Sequence, residues 1–448
     1  DEDDSGHDPH GRLRSAKAIG ADYGGSSESG GRLTTRGISA TVSEMPFQVR
    51  TSQEASGSFT STLPWILFLT LLVFVGILPR LLLAPLLLRV SDSFGVTYST
   101  ASGVFLTGSI GFVVGLLTSG FVASFLRHRW TIIVAIIVCG FSLLALSAVS
   151  SLVAFHVFFA LLNWGSGLYP GSGIASVTTL APQVHRGKAL AIHESGPNLA
   201  FLVAPILVAV LAPYMGWRGI YRIAGAAALV VASAFAVFGR ASDDRGQPPH
   251  FENISMFLRN GPFWIVSALF VVAASAAMGV FSVLPTYLVV DHGLNEGLVN
   301  TLVGLSRLSG FASILFAGAL VDRFGFAPVV LVVLGTTGLV TVTLGLASGI
   351  PLLVAVFLQP LLVQSFFPLG LSALSDVAPP HARNLAIALA IPLANFFGAG
   401  VAPRLLSLAG TGGHFRLAFI VLGAITVASL LLLRAYRPAP PTPDPDIA

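Results

Sequence analysis

Five ionisable side chains stand inside otherwise apolar runs: Arg80, His193, Glu194, Arg307 and Arg404. A charge near the middle of a hydrocarbon layer costs about 2.5–3.5 kcal/mol even on insertion scales, so each of these residues needs a task. Three guanidinium groups against one carboxylate and one imidazole favour an anionic guest. Arg offers a planar fork that matches a carboxylate or phosphate. Arg307 is the leading candidate: Asn300 lies two turns earlier on its face, and Gly304, Ser306, Ser309 and Gly310 leave room around it. Arg80 sits between Pro79 and Pro85, a pattern that predicts a broken, cavity-lining helix. Its competing role is to snorkel to the membrane surface. Arg404 lies nearer a helix end, where a structural role is expected. Asn163, Gln359, Gln364 and Asn395 are candidates for additional hydrogen bonds to a guest, against the commoner role of helix–helix contact. His193 and Glu194 are the candidates for proton coupling, since an imidazole or a carboxyl can take a proton on one side and release it on the other. Neighbouring helical positions diverge by about 100°, so the two cannot both point fully into one cavity. Glu194 shares a face with Asn198, and His193 with Pro197.

The elements that must position these groups follow from composition. Of 448 residues, 54% are hydrophobic and only 10% charged, with a mean hydropathy of +0.83. Soluble domains carry about 25% charged residues. The chain lacks the charge to cover a soluble surface, which excludes a cytosolic enzyme or a nucleic-acid binder. The single cysteine, Cys139, excludes a disulfide-stapled fold. What remains is a protein that crosses the bilayer many times.

Runs of about 20 apolar residues span a bilayer as helices. Twelve are expected: 63–88, 98–124, 129–149, 152–180, 187–213, 219–239, 262–290, 297–321, 327–348, 351–376, 383–408 and 414–435. Residues 1–61 are polar, Gly- and Ser-rich, and expected to be disordered. The first methionine is Met45, and the expectation is that the native protein starts there, with 1–44 as upstream sequence or a tag. Residues 437–448 form a Pro-rich tail. A polar loop, 241–261, divides the helices into bundles 62–240 and 262–436. Landmarks recur between the two at a spacing of 198: Pro64 and Pro262, Gly120 and Gly318, Pro170 and Pro368, Pro205 and Pro403, Arg218 and Arg416, Gly225 and Gly423. Pro182 and Pro379, Arg186 and Arg383, and Asn198 and Asn395 are 197 apart. So regular a series indicates duplication, which is common in secondary transporters with a midplane site. Tyr169-Pro170 and Phe367-Pro368 read as matched kinks. Lys and Arg in the short loops favour both termini in the cytoplasm, in a plasma or inner membrane.

The segment GALVDRFG, Gly318 to Gly325, matches the most specific local signature of the major facilitator superfamily, Gly-x-Leu-x-Asp-Arg-x-Gly. The first half has a degenerate copy, GFVASFLRHR, in which Arg127 replaces the second Gly while His128 and Arg129 keep the basic end. Arg186-Gly187-x-Ala189 and Gly216-Trp217-Arg218 also resemble this family. The resemblance covers residues 62–436. It implies an all-α membrane protein of two pseudo-symmetric six-helix bundles, alternating access around a central cavity, and a monomer as sufficient unit. Asp322 can cap a neighbouring helix N-terminus and Arg323 can pair with an acid or with carbonyls, so Gly318, Asp322, Arg323, Gly325 and Arg129 are expected to form a conformational latch.

Catalytic signatures are missing from the sequence: it has no phosphate loop, no Cys/His metal spacing and no nucleophile elbow. No cofactor or metal is expected. The sequence therefore points to a secondary active transporter, a symporter that moves a small anion such as a carboxylate with protons. The alternatives are a drug or cation exporter of the same fold, in which Glu194 pairs with the cargo, and a transport-dead sensor. Amino-terminal sequencing of native protein is expected to begin at Met45; peptides from residues 1–44 would contradict that start.

Overall fold

A computed structural model describes residues 59–247, 254–379 and 382–436, with the side chains of 254, 311–322 and 384 outside that description. The expected start at Met45, most of the polar N-terminal segment and the Pro-rich tail 437–448 lie outside the described residues. In hydrocarbon every backbone N–H and C=O must be paired internally, so a chain this apolar has to be helical. Among the described residues it has no strand.

The first half runs α1 (Phe59–Leu81), α2 (Leu83–Phe94), the single turn α3 (Tyr98–Ala101), α4 (Gly103–Ala148), α5 (Leu152–Leu180) and α6 (Arg186–Phe238). A short helix α7 (Ile254–Leu258) lies within the expected central loop. The second half runs α8 (Gly261–Ala274), α9 (Val280–Val290), α10 (Glu296–Phe324), α11 (Phe326–Leu346), α12 (Ile350–Gln364), α13 (Phe366–Asp376), α14 (Arg383–Asn395), α15 (Ala402–Thr411) and α16 (Phe415–Ala428). Helix starts are capped where the sequence supplies an oxygen. Thr97, Ser151 and Asn260 each accept a backbone N–H from three residues on.

Nine helical stretches among the described residues are long and apolar enough to cross a membrane. Two of them hold a pair of crossings each, because α4 is broken at Arg127 (φ 66°) and α6 at Gly216 (φ 60°). Counted with α10, the described residues are consistent with the twelve crossing segments expected. The first is longer than expected. Pro85 has no N–H to give the Leu81 carbonyl, so one hydrogen bond of the ladder is missing there, while Leu82 keeps helical angles and the helix runs on as α2 as far as Phe94.

Duplication shows in packing as well as in sequence. A Cβ on Gly225 would sit 2.9 Å from the carbonyl oxygen of Gly140, and one on Gly423 would sit 2.5 Å from that of Gly338. The two contacts are related by the 198-residue spacing. In each half, glycines let the third and sixth crossings meet backbone to backbone.

The signature turn is duplicated too, with an unequal cost. Gly325 has φ 79° and ψ 166°, a region open to glycine almost alone. Its counterpart is Arg127, with φ 66° and ψ 161°. The strained Arg127 is held by the chain that follows α6. Its Nη1 donates to the Asp243 carboxylate at 2.8 Å, while the His128 and Arg129 amides donate to the carbonyls of Asp244 and Ser242. Asp243 and Arg127 are both substantially exposed, so their ion pair contributes little. Arg127→Gly is therefore expected to stabilise the folded protein by about 1 kcal/mol. Thermal unfolding in detergent checks this; a lower midpoint would show the ion pair outweighing the strain.

Candidate functional site

Two adjoining chambers lie between the halves. The first, about 190 Å³, is lined by Arg80, Asn163, Asn395, Ser109 and Ser282 among the rings of Phe105, Phe112, Phe159, Phe201 and Phe281. The second, about 250 Å³, is lined by Arg307, Glu194, Asn198, Gln364 and Phe367. Pro197, Phe201 and Met278 belong to both walls. Phe201 on α6 meets Phe281 on α9 edge to face at 4.9 Å, so an aromatic pair from opposite halves stands where the chambers join.

Each chamber carries one guanidinium stacked on a ring. Arg80 lies 3.9 Å from the centroid of Phe112, and Arg307 lies 4.7 Å from that of Phe281. Such stacking orients a cation and partly offsets its burial. The flanking prolines led to the expectation of a broken helix at Arg80, but the chain keeps helical angles through Leu82 and loses only the hydrogen bond that Pro85 cannot give to the Leu81 carbonyl. Arg307 is 4% exposed, and its Nε and Nη2 have no hydrogen-bond partner. These two nitrogens form one edge of the guanidinium, the edge that a carboxylate can grip with both oxygens. Among the described residues neither Arg80 nor Arg307 forms a salt bridge.

The structure divides the other candidates. Asn163 and Asn395 each spend their amide N–H on a carbonyl of their own helix, those of Phe159 and Ile391. Their side-chain carbonyls are left for the first chamber. Gln359 lines neither chamber. It donates to the Ala276 carbonyl at 2.7 Å, inside a π-helical turn, Ser275–Gly279, that joins α8 to α9. A second π stretch, Phe396–Val401, joins α14 to α15 and packs on the first: a Cβ on Gly398 would lie 2.7 Å from that of Ala274. Wide turns leave carbonyls unpaired, and Gln359 serves one of them. Asn300 is buried with its Oδ1 unpartnered, and it too lines neither chamber.

His193 and Glu194 part as their spacing requires. Glu194 is 56% exposed and faces the second chamber with Asn198, whereas His193 is 1% exposed and packs inward against α5. Its Nε2 is 3.1 Å from the Tyr169 hydroxyl and its Nδ1 is 3.1 Å from Glu194 Oε1.

The face of the protein that carries Arg127, Arg129, Arg186 and Lys188 is called the basic face below. Polar ties between the halves gather at the opposite face. Arg89 on α2 donates to Glu296 on α10 at 2.8 Å, and to the Ala212 carbonyl. Arg404 on α15 donates to the Ser99 carbonyl and to Ser102 Oγ at 3.2 Å. Tyr98 stacks on Phe415 at 5.6 Å. Among the described residues, Arg89–Glu296 is the one ion pair that joins the halves.

Comparison with known proteins agrees with this architecture. The family model of the Major Facilitator Superfamily matches residues 69–350 and 293–448. The chain belongs to the major facilitator superfamily. It is a multi-pass membrane protein of a family of transporters. Among curated relatives, an MFS-type transporter, pytF, of Aspergillus terreus (strain NIH 2624 / FGSC A1156) is 27% identical over 148 residues, 31% of this chain and 48% of the relative. The chain thus spans about half the length of that relative. Solved structures share the fold at low identity. A bacterial homologue of the human lysosomal transporter Spinster, inward-facing and occupied, has a TM-score of 0.73 at 15% identity, covering 86% of this chain and 99% of the other. A point mutant of the nucleoside transporter NupG has 0.72 at 13%, covering 83% and 99%. A point mutant of the peptide transporter POT, in complex with alafosfalin, has 0.64 at 16%, covering 83% and 93%.

The superfamily signature is only partly placed. Gly318 and Asp322 lie on α10 where side chains are outside the description, so the capping role expected of Asp322 falls there too. Arg323 is exposed, 5.2 Å from the ring of Phe324, and Gly325 makes the turn. Arg129 donates to the Ala236 carbonyl near the end of α6, within its own half. The sequence reading missed Glu296, the partner of Arg89, and Tyr169, the partner of His193. A lone acid at a helix start and a tyrosine in an apolar helix were the available signals. Glu296→Gln is expected to loosen the opposite face: in a Ser109→Cys background, it should raise labelling from that face by an impermeant thiol reagent. Unchanged labelling would show that Arg89–Glu296 does not hold this conformation.

Proposed function

We propose that this transporter carries a small organic anion, a carboxylate, through the two chambers in symport with protons. The observation that carries the reading is Arg307: a buried guanidinium with an unpartnered edge on a wall between the halves. A buried donor without a partner costs about 1–3 kcal/mol, and more when charged, so an arriving carboxylate is bound with relief of that penalty. Nε and Nη2 have no solvent contact, so the side chain turns slightly to present them. Arg80 adds a second positive charge in the adjoining chamber. The ring-lined volume there suits an apolar body attached to the acid group, since a cavity of about 150 Å³ already takes benzene.

Alternating access is read from the two faces. Ties at the opposite face and an exposed Glu194 on the other side describe a state open to the basic face, the cytoplasmic side by the distribution of Lys and Arg. Rocking about the Phe201–Phe281 contact would then reverse the access. The halves expected from the sequence, 62–240 and 262–436, are the rocking bodies in this reading. The turns at Arg127 and Gly325 flank the basic face, and the conformational latch is assigned to them.

A competing reading keeps the same fold and exports an apolar cation held by Glu194. The five phenyl rings of the first chamber favour it, because aromatic faces attract cations. Two unpaired guanidinium groups against one carboxylate oppose it.

Uptake into proteoliposomes with an inward proton gradient separates the two. The panel holds monocarboxylates, dicarboxylates, phosphate esters and one cationic dye. Wild type is expected to take up a carboxylate, and Arg307→Ala to reduce this by at least about tenfold, with Arg307→Lys in between. Dye movement without carboxylate uptake, unchanged in Arg307→Ala, would overturn the anion reading.

A further inference from the structure

Hydrogen-bond arithmetic around His193 leads beyond the general expectation of proton coupling, on which it rests. Tyr169 lies on α5 in space left by Gly173, where any Cβ would sit 2.5 Å from the Tyr169 ring. Its ring is stacked on the imidazole of His193, with 5.9 Å between centroids and 5° between planes. The phenolic oxygen is 2.7 Å from the Leu69 carbonyl of α1 and 3.1 Å from His193 Nε2. A phenol has one proton. Two oxygens 2.7 Å apart repel unless a hydrogen lies between them, so the Tyr169 proton goes to Leu69. Nε2 must then carry a hydrogen and donate it to Tyr169. That leaves Nδ1, 3.1 Å from Glu194 Oε1, with two possibilities. Either the imidazole is doubly protonated beside a carboxylate, or a neutral imidazole accepts from a protonated Glu194. Both contain one proton between Nδ1 and Oε1.

We infer that Tyr169, His193 and Glu194 form a single-proton site whose occupancy decides whether Tyr169 ties α5 to α1. With the proton in place, the His193–Glu194 pair is neutral overall and Tyr169 donates to Leu69. When the proton leaves through Glu194 to the water of the second chamber, the pair carries one negative charge. The remaining imidazole hydrogen moves to Nδ1 to hold the carboxylate, its N–H bond at Nε2 being broken and re-formed at Nδ1. Nε2 becomes an acceptor, the Tyr169 hydroxyl turns to it, and the bond to Leu69 is lost. Protonation thus has two consequences. It fastens the first crossing to the fourth beside the cavity, and it removes the negative charge that would otherwise compete with the anion for Arg307 on the same chamber wall.

The surroundings leave this proton to the triad. From α1 the pair meets the Leu69 and Thr70 segment, with no ionisable side chain until Arg80, three turns on. From α5 it meets Tyr169 itself; one turn further, Ser172 contacts His128 of α4 at 3.1 Å. On α6 the next charge is Lys188, 4.8 Å from the ring of Phe59. Across the chamber stand Arg307 and Gln364.

The test uses the full-length protein in proteoliposomes and two assays with the carboxylate that wild type accepts. One is net uptake driven by a pH gradient; the other is anion counterflow at equal pH, which needs no net proton movement. Glu194→Gln and His193→Gln are each expected to cut the stimulation by the pH gradient about tenfold, within the range for linked sites, and in the buried His193→Gln variant counterflow persists. Tyr169→Phe should shift the pH dependence of net uptake and leave counterflow intact, which a purely structural role would not do. In infrared difference spectra, the carboxylic band that titrates in wild type should vanish in Glu194→Gln or move in Tyr169→Phe. Gradient stimulation and pH profile unchanged in all three variants, with counterflow intact, would overturn the site while leaving the anion reading standing. Neither uptake nor counterflow of any carboxylate by wild type would instead overturn the anion reading.

Discussion

A buried guanidinium with no counter-ion among the described residues sets the terms for the rest of this molecule. Arg307 sits among apolar helices with two donors unpartnered, and the surrounding packing has to make that tolerable. The ring of Phe281 supports one side of it. Small residues on α10 let the helix close on α6, where a Cβ on Gly304 would meet the Leu202 carbonyl at 3.0 Å. The opposite face is tied by Arg89–Glu296 and by Arg404, both ends of each tie satisfied by a charge or a carbonyl. In the proposed reading, the unpartnered edge of Arg307 is what an anionic guest would meet.

The same logic explains why the walls are built as they are. A transporter cavity must be roomy without exposing backbone to hydrocarbon. Here two π-helical turns widen the helices of the second half, and Gln359 serves the carbonyl of Ala276 in one of them. Close glycine contacts between the third and sixth crossings keep each half rigid while this happens. In the proposed transport cycle the two halves would move as bodies about the aromatic contact of Phe201 and Phe281.

The sequence made the fold legible because apolar run length and a regular 198-residue echo are coarse, redundant signals. Breaks at Arg127 and Gly216 fell where the loops were expected. Arg80 and Arg307 stood out in the sequence because a charge inside such a run is costly enough to be conspicuous, and both line chambers between the halves. The misreadings share a cause. Gln359 was grouped with the cavity as a polar residue in an apolar helix, but a π turn in another helix, invisible to periodicity, claims its amide, the commoner helix–helix role. Arg89 and Glu296 stand 207 residues apart, and no local pattern pairs them. Tyr169 was read as half of a kink, since only the stacked geometry of α5 and α6 turns it into a partner for His193.

The central claim is that Arg307 receives an anion, and direct binding tests it without the complications of transport. Thermal unfolding of purified protein in detergent, with and without a series of carboxylates, reads binding as a raised midpoint. A ligand at 100 times its dissociation constant stabilises by about 2.7 kcal/mol. The account predicts that at least one carboxylate raises the midpoint of wild type and leaves that of Arg307→Ala unmoved. An equal rise in both proteins would contradict it, as would stabilisation by cationic compounds alone.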